Sequence, residues 1–194
     1  MKKADPPGIE LLEVRPVYEN RFCTVYDDRV RMPSGAEGTY VRALWKAAYS
    51  VAVLPILADG RVALVRCFRH AVRDWLLEVP KGFGEPGCCV EENAARELRE
   101  EMGLVAGRLV RLGSSFADPG MIGNPIQCLV ALDCREARAP QPEVFESLQR
   151  IAPLSSPEIV TAITDGVIVD AVTTMLLLRH VAGLLPPPTR HSTP

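Results

Sequence analysis

The chain is poor in the features that mark several large protein classes. No apolar run reaches the length of a bilayer span, and the opening "MKKADPPGIELLEV" follows its lysines with proline and acids where a secretory leader needs an apolar core. The expected location is therefore the cytoplasm. Excess basic charge is also missing: 22 Lys and Arg against 24 Asp and Glu leave a formal net charge of -2, with no lysine-rich tail beyond "MKK". That excludes a charge-driven grip on nucleic acid, although it leaves nucleic acid open as a substrate. The six cysteines, at 23, 67, 88, 89, 128 and 134, form no C-x-x-C pair and have no His-x₃₋₅-His partner, so neither a zinc cluster nor a disulfide framework is indicated. Reduced thiols are expected. "GMIGNP" lacks the Lys-Ser/Thr of a phosphate-binding P-loop and reads as a flexible loop beside a site. Neither internal repeats nor a helix-turn-helix segment is visible.

What is present suits one domain, or one domain with a small appendage, since 194 residues can bury a sizeable core. "RFCTVYDDRVRM" and "GTYVRALW" are strand-like and flank the turn signal "PSGAEG", which predicts a hairpin. A second strand pair is predicted from "YSVAVLPIL" and "RVALVRCFR" around "ADG". "WLLEVP" then leads through a glycine-rich loop into an acidic helix ending at Gly103, and the strand-like "GRLVRLGSS", "IQCLVALD" and "LQRIA" follow. Two helices close the chain. The first takes Ser156 as N-cap with Pro157 at its first position, and the second, "VDAVTTMLLLRHVAGLL", is apolar around most of its circumference and should be well buried. Strands and helices mix without strict alternation, which favours an α+β sandwich over a doubly wound sheet.

The acidic helix carries the chemistry. At about 100° per residue, Glu97, Glu100 and Glu101 share one side and Ala94, Leu98 and Met102 another. Like charges at this spacing cost a few tenths of a kcal/mol per pair, so something positive must relieve them. Arginine can do so: Arg96 stands four residues before Glu100, and a solvated face laced with ion pairs accounts for "RELREE" by itself. A metal ion can do so too, and hard divalent cations prefer oxygen ligands.

Read outward, the segment Gly82–Leu104 fits G-x₅-X-x₇-R-E-L-x-E-E-x-G-L, with Gly82, Arg96, Glu97, Leu98, Glu100, Glu101, Gly103 and Leu104 in place. This resembles the Nudix box, and eight of nine fixed positions agree over 23 residues. Beyond the box, "VYENRFCTVYDDRVRMPSGAEGTYVRAL", "VAVLPILADGRVALVRCFRHAVRDWLLEVPKG" and "DGVIVDAVTTMLLLRH" are similar to the branch of that family containing ADP-ribose pyrophosphatases and ADP compounds hydrolases. The resemblance implies an α+β Nudix fold, an α/β/α sandwich with a mixed sheet plus an N-terminal β-hairpin subdomain. It places that subdomain at 1–46 and a Nudix hydrolase domain at 47–186, while the closing "PPPTRHSTP" has nothing to pack, so 187–194 is expected to be a disordered tail.

By the same resemblance Glu97 and Glu101 are the main ligands of Mg²⁺ or Mn²⁺, with Glu100 auxiliary and the Lys81 backbone carbonyl a further ligand. Gly82 lets the chain pass close to the metals. Arg69 matches an arginine that contacts substrate phosphates, or is an exposed strand arginine. Glu78 falls at a family-typical acidic position, or is a partly buried acid paired with an arginine. The catalytic base comes from a later loop, where Glu143 and Glu146 both qualify and either can equally be a solvated acid. Two positions depart from the pattern. Cys88 replaces the box glutamate that braces Arg96, leaving Glu85, Glu91 or Glu92 as substitutes, and Cys67 stands where glutamine is usual. The expected activity is hydrolysis of a pyrophosphate bond in an ADP-linked small molecule such as ADP-ribose, by a homodimer built through the N-terminal hairpin. A catalytically weak nucleotide-sugar sensor is the alternative that Cys88 keeps open.

Overall fold

β3 (Cys23–Arg31) is the central strand of an N-terminal unit that also holds β1 (Glu10–Glu13), β2 (Pro16–Glu19) and β4 (Glu37–Trp45). The computed structural model of the protein describes residues 7–137, 139 and 147–185. Over these it divides into two units, one running to Ala48 and joined by Phe116–Pro125, the other made of Tyr49–Ser115 and the chain from Ile126 on. β3 and β4 form the predicted hairpin, in register from Cys23 opposite Trp45 to Arg31 opposite Glu37. Gly35, at φ 87, supplies the left-handed turn residue that a Cβ would strain.

The hairpin does not stand alone. β1 and β2 both lie antiparallel on the other edge of β3, making a four-stranded sheet that the sequence did not reveal. Four-residue strands are too short for alternation to show. They form because β3 offers a row of unpaired backbone groups. Phe116–Pro125 also differs from expectation, being pinned to β4. The Asn124 amide accepts from the Trp45 N–H at 2.6 Å and donates to the Ala47 carbonyl at 2.8 Å, and the Tyr40 hydroxyl donates to the Gly120 carbonyl at 3.0 Å.

The second unit contains β5 (Ser50–Leu57), β6 (Val65–Arg69), β7 (Asp74–Glu78), β8 (Lys81–Phe83), α1 (Val90–Met102), β9 (Leu104–Val105), β10 (Arg108–Ser115), β11 (Ile126–Glu136), β12 (Leu148–Arg150), α2 (Ser156–Thr164) and α3 (Ala171–Val181). Its main sheet runs β10-β11-β5-β8, with β9 also on β11. β11 and β5 are parallel and the other pairs antiparallel, so the sheet is mixed. Val51 to Ile56 are buried without a break, as a strand covered on both faces must be. Ala94, Leu98 and Met102 of α1 pack on Val51, Val53, Leu129 and Ala131. On the other face Ile159 of α2 and Val172, Leu176 and Leu177 of α3 pack on Ala52, Leu54, Cys128 and Val130. The result is the expected α/β/α sandwich.

Three expectations need correction. β5 and β6 do not pair: only the segment between them touches β5 near the turn, where Ile56 makes an isolated bridge with Val62. The edge of β5 beyond it is taken by β8 and by the Pro80 carbonyl, which accepts from Val53 at 3.0 Å, so β6 joins β7 and β12 in a separate sheet. The N-cap of α2 is Ser155, one residue earlier than predicted, because Glu158 accepts from the Ser155 N–H at 2.7 Å and its hydroxyl at 2.5 Å, which a box counted from 155 allows. α3 is buried on one side only: Val172, Thr173, Leu176 and Leu177 face the core, whereas Leu178 is 47% exposed. Among the described residues no helix is long and apolar enough to cross a membrane.

Candidate active site

α1 is held at both ends by local chemistry. At its start Cys89 takes the place of the usual serine or threonine in a capping box: its Sγ accepts from the Glu92 N–H at 3.4 Å, and Glu92 accepts from the Cys89 N–H at 2.7 Å. Gly103 ends it in the left-handed conformation, its N–H bonded to the Arg99 carbonyl at 2.9 Å. The preceding loop is fastened down by Asn93, which is buried. Its amide oxygen accepts from Glu85 N–H at 3.0 Å, and its nitrogen donates to the Tyr49 hydroxyl at 2.9 Å and the Cys89 carbonyl at 3.0 Å. Tyr49 in turn donates to the Cys88 carbonyl at 3.2 Å. Sequence reasoning missed Tyr49 and Asn93, since only the fold brings these two positions, 44 residues apart, together.

Glu97 and Glu101 are both buried, each 4% exposed, on successive turns of α1. Gly82 of β8 lies directly against the first: a Cβ there would fall 1.9 Å from Glu97 Oε1. Arg96 sits among the acids. Its Nη2 donates to Glu97 Oε1 at 2.7 Å and to the Phe83 carbonyl at 3.0 Å, and its Nη1 to Glu100 Oε2 at 2.8 Å. Burial works against the Arg96 charge, but Glu97, Glu100 and Glu85 outweigh it and hold its pKa above the ordinary value. Arginine thus relieves part of the repulsion between Glu97 and Glu100.

Of the three acids expected to substitute at Cys88, only Glu85 pairs with Arg96, its Oε1 3.5 Å from Arg96 Nε, an ion-pair distance without hydrogen-bond geometry. Glu91 is taken by Arg111 at 2.5 Å and Glu92 by the cap. Among the described residues no three His, Cys, Asp or Glu side chains converge on a common metal position. The donor set nevertheless fits a hard divalent cation: two buried carboxylates one turn apart, a third beside them on Arg96, and a backbone that the missing side chain of Gly82 brings against one of them.

A second cluster links β6, β7, β8 and the start of α3. Glu78 is 1% exposed and takes Arg69 in a fork, Nε to Oε1 at 3.0 Å and Nη2 to Oε2 at 2.6 Å. The Lys81 ammonium lies 2.8 Å from Glu78 Oε2 and 2.8 Å from Asp170 Oδ1. The hydrogen bonds of Glu78 raise the Arg69 pKa, with the charge of Glu101 adding to the effect through space. Burial pushes the Asp170 carboxyl up, yet Lys81 and Thr173 more than compensate, leaving it below the usual carboxylate range. Asp170 also caps α3, accepting from the Thr173 N–H at 2.8 Å. Arg69 therefore combines a half-exposed side chain with a fixed buried partner, and Glu78 is the buried, arginine-paired acid. Asp170 was not singled out from the sequence, although an Asp before "AVTTM" is a cap signal. Cys67 is buried on β6. Glu143 and Glu146 lie outside the described residues.

Comparison with known proteins agrees with this geometry. The NUDIX domain matches residues 46–165, and the nucleoside diphosphate sugar hydrolase N-terminal domain matches residues 9–40. The chain is 28% identical over 115 residues to an ADP-ribose pyrophosphatase of Bacillus subtilis, covering 59% of this chain and 61% of that protein. It is 33% identical over 118 residues to an ADP-ribose pyrophosphatase of Mycobacterium tuberculosis, covering 59% and 55%. With the ADP compounds hydrolase NudE of Escherichia coli it shares 29% over 123 residues, covering 63% and 66%. Each match spans less than two thirds of the relative's own length. A crystal structure of an ADP compounds hydrolase superposes with a TM-score of 0.72 at 25% identity, over 94% of this chain and 98% of that one. With its glycine-to-helix segment folded as a loop and α1 against a mixed sheet, and with that domain matched across more than half its length, the chain belongs to the NUDIX family.

Proposed function

We propose that this protein hydrolyses the pyrophosphate bond of an ADP-linked small molecule, ADP-ribose or a similar compound, releasing AMP and a phosphorylated product. The observation that carries the reading is the pairing of two buried carboxylates, Glu97 and Glu101, with the close approach of Gly82 to the first. Glu97 and Glu101 would hold Mg²⁺ or Mn²⁺, with Glu100 and the Lys81 carbonyl assisting. A bound divalent cation neutralises phosphate oxygens and makes its water more acidic. Arg96 keeps Glu97 and Glu100 in place, and Arg69, oriented by Glu78, offers its guanidinium to the substrate phosphates. Glu143 or Glu146 supplies the general base. The relatives named as ADP-ribose pyrophosphatases and an ADP compounds hydrolase support the substrate class. The test is AMP release from ADP-ribose, NADH and diadenosine compounds with Mg²⁺; a chain that releases none with any of them is not this enzyme.

A homodimer is part of this proposal. Ile9, Leu11, Val17, Phe22 and Val41 of the N-terminal unit are each about half exposed, apolar area that a second copy would cover. Light scattering that gives the monomer mass refutes it. The sensor reading keeps one observation of its own, since Cys88 removes a box acid and Arg96 already engages Glu97 and Glu100. Ligand-induced thermal stabilisation without product distinguishes it.

A further inference from the structure

We propose that Asp170 is a positioning residue that sets the Arg69–Glu78 pair by sharing the Lys81 ammonium with Glu78. This inference rests on the hydrolase reading above and concerns how the substrate's phosphates are gripped. Glu78 Oε2 is contested: it accepts from Arg69 Nη2 at 2.6 Å and faces Lys81 Nζ at 2.8 Å. Lys81 has a second anchor in Asp170 Oδ1, also at 2.8 Å. The four groups form a chain of alternating charge in which each carboxylate is protected from water, Glu78 at 1% and Asp170 at 19% side-chain exposure.

With its positive charge shared between two acids, the lysine leaves Glu78 free to hold the guanidinium by its fork. Without the Asp170 charge, a mostly buried ammonium has only Glu78 to compensate it and must draw that carboxylate toward itself. Arg69 then loses its shortest bond, the one to Oε2 at 2.6 Å. The displacement also reaches the backbone at Lys81, the residue immediately before Gly82. Asp170 sits at the N-cap of α3, whose Val172, Leu176 and Leu177 are packed in the core, so the anchor is rigid.

The variants Asp170→Asn, Lys81→Met and the double variant separate this role from capping. Asparagine caps a helix as well as aspartate does, so Asp170→Asn retains the bond to the Thr173 N–H while removing the charge. Its far-ultraviolet spectrum should match the wild type, while its thermal midpoint at pH 7 should fall with the lost ion pair, because Lys81 holds the Asp170 carboxyl below the usual carboxylate range. Its KM for ADP-ribose at saturating Mg²⁺ should rise about tenfold with a smaller change in kcat, the pattern of lost phosphate binding. Lys81→Met in the Asp170→Asn background should bring KM back toward the wild-type value, because the competitor for Glu78 is gone. An unchanged KM in Asp170→Asn, or a raised one that Lys81→Met does not lower, overturns the inference and leaves Asp170 a helix cap. If the wild type neither hydrolyses nor, by calorimetry, binds ADP-ribose, the hydrolase reading falls first and takes the inference with it.

Discussion

The Glu97 carboxylate occupies the space that a side chain on Gly82 would need, with Oε1 1.9 Å and Oε2 2.5 Å from where a Cβ would stand. A β-strand and a helix are thus brought together around one acid. The absence of a side chain at 82 is what lets a buried carboxylate face a backbone. Gly82 has no positive φ, so here the glycine is required by space and not by conformation.

Gly82→Ala should accordingly displace Glu97. Steady-state assays with ADP-ribose are expected to show kcat reduced by about 100-fold, the scale of an ångström-sized misplacement of a reactive group. Overpacking should also lower stability by about 1–3 kcal/mol in urea titrations. A fully active Gly82→Ala protein would separate Glu97 from the chemistry.

Glu97→Gln and Glu101→Gln remove one of two buried negative charges that lie a helical turn apart. Each should be inactive at saturating Mg²⁺. In the wild type, Mn²⁺ or Mg²⁺ at a hundredfold above its dissociation constant should add about 2.7 kcal/mol of stability, and both variants should lose that gain. EDTA should return the wild type to its metal-free midpoint. Metal stabilisation that survives both substitutions would place the cation elsewhere.

Glu143→Gln and Glu146→Gln distinguish the two candidate bases. One of them should lower kcat by roughly 10²-fold with metal binding retained, as loss of general-base assistance does. Full activity in both would move the base to another residue.

The thiol cap of α1 can be tested separately from catalysis. Cys89→Ala removes the acceptor for the Glu92 N–H and should cost about 1 kcal/mol, while Cys89→Ser supplies a better acceptor and should raise the thermal midpoint above wild type. Equal midpoints for the alanine and serine variants would show that the sulfur bond contributes nothing.

Acid sensitivity is expected in the N-terminal unit. Asp28 is buried, which pushes its pKa up, but the Arg42 side chain at 2.5 Å and the Arg15 N–H at 3.0 Å prevail and leave it below 3.8. The unfolded chain therefore takes up this proton first as pH falls. The stabilisation is complete above the ordinary carboxylate pKa and is lost as pH drops through the lower folded value. Asp28→Asn should reduce stability at pH 7, with the gap to wild type closing in acid. Urea midpoints measured across that range would show a pH-independent gap if the Asp28 charge plays no part.

The parts of the site that depend on residues within one helical turn were legible in the chain. The acidic and apolar sides of α1 follow from a repeat of about 100° per residue, its Gly103 terminus is a glycine cap signal, and the spacing from Gly82 to Glu101 was recognised through the family resemblance. The near-continuous apolar run of β5 was legible as well. The one-residue error at Ser155 shows the limit of that legibility, since adjacent serines both satisfy a cap pattern until Glu158 chooses between them.

The amino-acid sequence by itself determined the order of the longer strands and the helices from the hairpin onward, the box that places Glu97, Glu100 and Glu101 on one helix, and the family to which the spacing belongs. Only the tertiary structure decided that β1 and β2 extend the hairpin, that β6 leaves β5 for another sheet, that of the three candidate acids Glu85 pairs with Arg96, and that Lys81 divides its charge between Glu78 and Asp170. The reason is range: caps and helix faces are set by neighbours a few residues away, whereas pairing edges, buried ion pairs and the closeness of Gly82 to Glu97 depend on which distant surfaces the core brings together.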